Sequence, residues 1–424
     1  MSTVDSHHIW ICGAGLVSSL GLDIETVGQK LEDGQSGLSL QDQFDGDIFA
    51  SPLCAPVQGF KANAYLKNRK NLKLMSRSVR LGMGAIRLAM DNTEFDANDI
   101  DPDRFGVVVG AGLALGRSQD LVAGIKQSFV DGQFNSQKFG EVGMRAINPL
   151  WLLKGLSNNV LGFATAELDA RGFNQNYCNS GISGLQAVGE AFWALKEGRA
   201  DRLVAGGSDC AIDPFHYAGF SRLKALSSAH SPEGVRSFHT HRDGFVLGEG
   251  AAYFVLEREL NDRSRHQRLA RILSVSTMTC ARNPLGGEAE VVTRCIARAC
   301  AQAGITPRDI GGIIAHGNGS KRFDKIEAQG IEAAFGAHCP PVTTNKPQLG
   351  HTIAASGPIS LACALHAGRV GRLPAIANLT EIDPECSGID LVKDTPRSIS
   401  TPIFLIMSAG LGGQVSCLIV EVLK

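Results

Sequence analysis

Three positions in this chain carry residue types that can do covalent chemistry, and each sits in a turn containing glycine. They are Cys178 in NYCNSGISGL, His316 in IIAHGNGS and His351 in NKPQLGHTIAASG. Lys346 stands five residues before His351. Each segment reads as a strand end, a tight turn and then a helix. A strand end holds a side chain in a fixed place, and glycine lets another backbone or a ligand come close. One thiol and two imidazoles delivered in this way suggest carbon–carbon bond formation on a thioester.

The thiol sets the first chemical question. An ordinary cysteine, with a pKa near about 8.5, is only about 3% thiolate at pH 7. A helix start favours an anion by roughly 0.3–2 kcal/mol, or about a quarter to one and a half pKa units. Cys178 ahead of a helix at Ser183 is therefore expected to be partly activated. The histidines need no charge for their part. As neutral imidazoles, each can donate an N–H to an oxygen on which charge develops.

The elements that position these groups alternate between strand and helix. Strands are expected at 8–12, 105–110, 202–207, 251–257, 311–317, 403–408 and 415–422. Helices are expected near 24–33, 76–91, 183–197, 289–303, 324–335 and 357–367. In the third helix Leu185, Val188, Phe192 and Leu195 share one face. The pattern is α/β, with helices covering both faces of largely parallel sheets. There is also an internal echo. Cys178 leads through Asn-Ser-Gly to a helix from Ser183, and His351 leads through Thr-Ile-Ala-Ala-Ser-Gly to a helix from Gly357. The charged run at 257–272 reads as the crossing between two halves, residues 1–258 with Cys178 and residues 259–424 with His316, Lys346 and His351.

Composition narrows the class. The chain has 424 residues, 44% apolar and 20% charged, with a formal net charge of -1. Nothing in that balance points to nucleic acid. No apolar run approaches the about 18 residues of a membrane helix, and the apolar stretch near the N-terminus lacks the basic leader of a secretion signal. Eleven cysteines with no Cys-x-x-Cys pair imply neither a disulfide framework nor a zinc site, and a reducing cytoplasm is expected. ICGAGL (11–16) and VVVGAGLALG (107–116) have paired glycines after strands, but neither completes a dinucleotide fingerprint. His239 and His241 lack a third ligand at suitable spacing for a metal. No cofactor is expected.

The landmarks now read in order: the turn around Cys178, RLVAGGSD (202–209), RDGFVLGEG (242–250), AHGNGS (315–320) with DKIE (324–327), KPQLGHT (346–352) and GLGG (410–413). In that order and spacing the chain resembles a β-ketoacyl-acyl-carrier-protein synthase of the elongating Cys-His-His form, in the thiolase superfamily. The resemblance covers nearly the whole length. It implies a thiolase-like fold of two similar α/β halves related by a pseudo-dyad, layered αβαβα. It implies a homodimer or a heterodimer with a paralogue, meeting free acyl carrier protein. By the same resemblance Cys178 takes the acyl group, and His316 and His351 stabilise the enolate formed when malonyl loses CO2. Lys346 keeps the pocket electropositive, and the N–H groups of Cys178 and Leu411 form an oxyanion hole. Asp324 and Glu327 support the His316 loop, and RKNLK (69–73) is a candidate docking site for the acidic carrier.

Several positions depart from the family. Tyr177 and Asn179 flank the cysteine where small or hydroxylated residues are usual. Ala409 and Leu411 stand where the family has two phenylalanines, one of which gates the acyl pocket. His239 and His241 replace acidic residues. These changes favour a specialised polyketide, polyene or fatty-acid pathway. The alternative is a non-catalytic, chain-length-determining partner subunit, against which retention of Cys178 weighs. A thiolase or coenzyme A-dependent priming enzyme ranks below both, because neither histidine is replaced and no second catalytic cysteine appears.

Overall fold

The computed structural model describes residues 8–44, 49, 51–93, 101–112, 117–259, 267–280 and 287–423. Ten strands form one hydrogen-bonded sheet: β1 (Ile9–Val17), β2 (Phe105–Ala111), β3 (Gln175–Tyr177), β4 (Arg202–Cys210), β5 (Glu249–Arg258), β6 (Ala270–Thr279), β7 (Gly312–Ile314), β8 (Val342–Thr343), β9 (Ile403–Gly410) and β10 (Gln414–Val422). Their order is β8-β7-β9-β10-β6-β1-β5-β4-β2-β3.

That order repeats about its centre. From β1 outward the neighbours are β5 and β4, both antiparallel, then β2 and β3, both parallel. From β6 outward they are β10 and β9, both antiparallel, then β7 and β8, both parallel. Even the bulges correspond, falling between Ile11 and Gly13 in β1 and between Ile272 and Ser274 in β6. The two sets join where Ile9–Ile11 pair with Ala270–Ile272. The sheet is therefore mixed, whereas largely parallel sheets were expected. The β9–β10 hairpin, closed by Leu411–Gly413, and the long β4–β5 pair turn the chain back antiparallel in each set. Continuous apolar runs such as AAYFVLE do not reveal that direction, because both of their faces are buried.

Helices separate the layers. The described elements used below are α1 (Arg77–Asp91), α2 (Asn159–Leu168), α3 (Ser183–Lys196), α4 (Ala289–Ala303), α5 (Lys321–Phe335) and α6 (Ser356–Val370). In β5, Ala252, Phe254 and Leu256 join a central core with α3 and α6, while Ala251, Tyr253 and Val255 join an outer core with α1 and α2. In β10, Leu418, Val420 and Val422 face the same centre, while Val415, Cys417 and Ile419 face α4 and α5. The period-two alternation thus builds five layers, αβαβα, with α3 and α6 in the middle. This is the thiolase-like arrangement.

Two glycines read earlier as possible turn residues have a different task. Gly13 and Gly15 lie inside β1, not in a strand-to-helix turn. A Cβ on Gly15 would stand 2.1 Å from the Ala85 carbonyl oxygen, and one on Gly13 would stand 2.5 Å from that of Ala89. They let α1 lie directly on the strand. The crossing read over 257–272 is shorter than expected, because Glu257–Arg258 belong to β5 and Ala270–Ile272 to β6. Residues 260–266 lie outside the described residues, as does the end of VVVGAGLALG. Among the described residues no helix is long and apolar enough to cross a membrane.

Candidate active site

The echo between Cys178 and His351 extends to the backbone. Cys178 follows β3, and a 3-10 turn at Ser180–Ile182 leads into α3. His351 follows the short helix Lys346–Leu349, and a 3-10 turn at Ile353–Ala355 leads into α6. Two residues after each reactive group the chain takes a left-handed conformation, at Ser180 (φ 53°) and Ile353 (φ 43°). A β-branched residue rarely adopts that region, which marks the second turn as strained for a purpose. Ser183 and Ser356, five residues after each reactive group, tie the two turns. The Ser183 hydroxyl accepts from Asn179 N–H at 2.7 Å and donates to the Ser180 carbonyl at 2.8 Å. The Ser356 hydroxyl lies 2.9 Å from His351 Nδ1.

These bonds set the imidazoles. The left-handed Ile353 turns its backbone N–H onto His351 Nδ1 at 3.3 Å. Ala409 N–H donates to His316 Nδ1 at 3.2 Å. In both rings Nδ1 is an acceptor, so the proton of the neutral ring lies on Nε2. Burial holds both rings well below the usual imidazole range, and the nearby Lys346 charge pushes the same way. The rings meet edge to face, with centroids 5.2 Å apart. They line one cavity of about 280 Å³ together with Ser180, Ala409 and Leu411. Two neutral N–H donors therefore converge on one space beside the turn that carries Cys178.

Acidic side chains from α5 hold the His316 turn in shape. Glu327 accepts from the backbone N–H groups of His316 and Gly317 at 2.7 and 2.8 Å. Asp324 accepts from those of Phe238 and Gly319 at 2.7 and 3.1 Å. Arg242 Nε stands 3.6 Å from Asp324, and its other nitrogens take Asp383 and the carbonyls of His239 and Lys321. Burial raises Asp324 to about 6 and Glu327 to about 7 despite these donors. Glu327→Ala leaves two buried N–H groups without acceptors. It is expected to cost about 2–4 kcal/mol in urea denaturation, with Glu327→Gln costing about half of that.

Lys346 is buried in the same cluster. Burial lowers it to about 8, while Glu327 and Asp324 oppose the shift. Its charge is thus lost as pH rises through about 8. On the roles that the resemblance implies, condensation from acylated Cys178 is expected to decline across that pH. In Lys346→Arg, which stays charged, the plateau is expected to run to higher pH; stopped-flow assays from pH 6.5 to 9.5 read both.

Cys178 departs from its expected activation. Cys178 is exposed as a residue, but partial desolvation of its sulfur and the Asp209 carboxylate push the thiol above the ordinary value, and Sγ donates to the Gly112 carbonyl at 3.1 Å. The first residue of α3 is five positions away with a 3-10 turn between, and a helix-end charge fades within about one turn. The resting thiol is therefore neutral. Sequence reasoning missed Asp209, which comes from β4 and gave no signal of its own beyond the RLVAGGSD landmark. It also missed Lys224 and Arg322, which are exposed and line the mouth of the histidine cavity. RKNLK forms an exposed 3-10 helix, Arg69–Leu74, whose residues do not line that cavity. Leu411 sits at the tip of the β9–β10 hairpin, followed by Gly412 at φ 99° and Gly413 at φ 74°. Both ring nitrogens of His239 are engaged, Nδ1 by His241 N–H and Nε2 by Thr380.

The fold and this constellation define a condensing enzyme. The sequence profile of the β-ketoacyl synthase N-terminal domain matches residues 6–261, and that of the C-terminal domain matches residues 274–380. The chain belongs to the β-ketoacyl synthase family, and it is an acyltransferase-type enzyme. It is similar to 3-oxoacyl-acyl-carrier-protein synthase 2 of Coxiella burnetii, 28% identical and covering 99% of each chain. The corresponding Synechocystis protein is 27% identical over 98% of each. Among solved structures, a β-ketoacyl synthase from Burkholderia phymatum superposes with a TM-score of 0.87 at 24% identity, covering 99% of this chain and 100% of that one. The ishigamide ketosynthase/chain length factor gives the same score, identity and coverage. A type II polyketide ketosynthase in complex with its acyl carrier protein, bound to a hexaketide, gives 0.82 at 22% identity, covering 99% and 100%.

Proposed function

We propose that this chain catalyses decarboxylative condensation of an acyl group held on Cys178 with a malonyl group on acyl carrier protein, in a specialised polyketide, polyene or fatty-acid pathway. In the first half-reaction Cys178 Sγ attacks the acyl thioester; the new S–C bond forms, the carrier C–S bond breaks, and the carrier leaves as its thiol with the cysteine's proton. In the second, the malonyl C–CO2 bond breaks, CO2 leaves, and the electron pair becomes an enolate held by Nε2–H of His316 and His351. The enolate carbon attacks the acyl carbonyl, the C–S bond to Cys178 breaks, and the sulfur leaves as thiolate, which takes a proton from solvent to restore the resting thiol. Leu411 N–H and Cys178 N–H are the oxyanion donors in this scheme, and Ala409 and Leu411 make a gate less bulky than two phenylalanines. The observation carrying the reading is the pair of buried neutral rings, each locked by a backbone N–H so that both present Nε2–H to one cavity.

The carrier is acidic, and exposed Lys224 and Arg322 at the cavity mouth offer it cations, with Arg69, Lys70 and Lys73 as a further patch. The second subunit is another copy or a close paralogue. It covers the end strand β3 and the exposed apolar side chains Phe134, Met144, Leu152 and Leu156. The halves 1–258 and 259–424 act together, one bringing the nucleophile and the other the enolate site.

The test is turnover. The protein mixed with acyl and malonyl carriers is expected to release CO2 and yield a carrier-bound β-ketoacyl product two carbons longer. No turnover alone, with turnover restored by an active paralogue even when Cys178 is replaced, would favour the non-catalytic partner instead.

A further inference from the structure

A second cavity lies behind Gly112, on the strand end whose carbonyl receives the Cys178 thiol. It is small, about 50 Å³, and its wall mixes Val79, Val160 and Ile212 with serines, the carboxylates of Asp209 and Asp213, the cations Arg77, Arg117 and Lys154, and His216. Arg77 pairs with Glu249 and Lys154 with Asp120, and Asp213 accepts from the Ser118 N–H and hydroxyl. Gly112 keeps it narrow on one side, because a Cβ there would lie 1.7 Å from Asp209 Oδ2. Most of these groups already have partners. Asp209 accepts from Cys210 and Ala354 N–H at 2.8 and 3.3 Å, and Ser208 lies 3.5 Å from Tyr253 Oη. His216 does not. The residue is 6% exposed, and Nδ1 is buried with no hydrogen-bond partner among the described residues. An unpaired buried ring nitrogen is costly and calls for a group that supplies the missing bond. Burial also holds this ring below the ordinary imidazole pKa, although the Asp213 carboxylate opposes the shift, so the ring is neutral near pH 7.

Resting on the condensing-enzyme reading, we propose that the acyl chain on Cys178 runs past Gly112 into this cavity and carries a hydroxyl or keto oxygen that hydrogen-bonds to His216 Nδ1. His216 is then the residue that selects oxygenated over saturated chains. A hydroxyl both donates and accepts, so it satisfies Nδ1 in either tautomer. A methylene in the same place leaves the nitrogen unpaired, and sites built around such a bond reject the analogue that lacks it.

The probes are small N-acetylcysteamine thioesters of acetyl, hexanoyl, 3-hydroxyhexanoyl and 5-hydroxyhexanoyl groups. The rate of adduct formation on Cys178 is followed by intact mass, and each rate is divided by that protein's own acetyl rate. The natural sequence is expected to load one of the hydroxylated chains at least about tenfold faster than hexanoyl, the worth of one buried hydrogen bond. His216→Leu is expected to bring that ratio to about one, while His216→Gln retains a preference of several-fold. Equal loading of hexanoyl and both hydroxylated chains by the natural sequence, or an undiminished preference in His216→Leu, would overturn the assignment. Failure of every thioester, acetyl included, to modify Cys178 would instead count against the condensing-enzyme reading, and the assignment would fall with it.

Discussion

His316→Ala and His351→Ala are each expected to slow condensation by about 10²–10³-fold while leaving acyl transfer to Cys178 nearly intact. The split follows from the geometry. Each ring offers Nε2–H to the cavity because a backbone N–H occupies Nδ1, from Ala409 in one case and Ile353 in the other. Those donors matter when the malonyl thioester oxygen gains charge, which is a step later than acylation. The double variant is expected to lose less than the product of the two single effects, because both donors serve one oxygen. Single-turnover assays starting from acylated enzyme separate the steps. A variant that fails to acylate but, once acylated by another route, condenses normally would contradict these roles.

Cys178→Ala is expected to have the largest effect of all, a loss on the order of 10⁶-fold in chain extension, as for removal of other covalent nucleophiles. The neutral resting thiol sharpens this expectation. Partial desolvation and Asp209 disfavour the thiolate, so alkylation by iodoacetamide should be slow at pH 7. Asp209→Asn, which removes the opposing charge, is expected to shift the pH profile of alkylation to lower pH. Cys178→Ser retains a weaker nucleophile and is expected to fall between the alanine variant and the natural sequence.

Much of this was legible in the residues. The three turns stood out because glycines and serines surround groups with chemistry, and the Cys178–His351 echo was visible as a Ser-Gly step leading into a helix, though at unequal distances from the two reactive groups. Its full extent needed the backbone, since left-handed Ser180 and Ile353 share no residue type. The six expected helices followed the apolar period closely, whereas Ser118–Lys126, α2 and Pro214–Arg222 were not anticipated. Strand direction did not, because runs such as AAYFVLE bury both faces and read alike whether their neighbours are parallel or antiparallel. The thiol's environment was also hidden. Asp209 of β4 and Gly112, just past the end of β2, reach Cys178 at sequence distances that no local pattern spans. Gly13 and Gly15 could have suggested a nucleotide turn, and only the close approach of α1 explains them.

The most direct measurement is the intact mass of the protein across one catalytic cycle, with peptide mapping of any adduct. The account predicts that an acyl carrier adds one acyl mass, confined to Cys178. It also predicts that malonyl carrier then discharges that mass into a β-ketoacyl carrier two carbons longer, in the natural sequence but far more slowly in His316→Ala or His351→Ala. Chain extension without any mass on Cys178, or an adduct that malonyl carrier leaves in place, would contradict it.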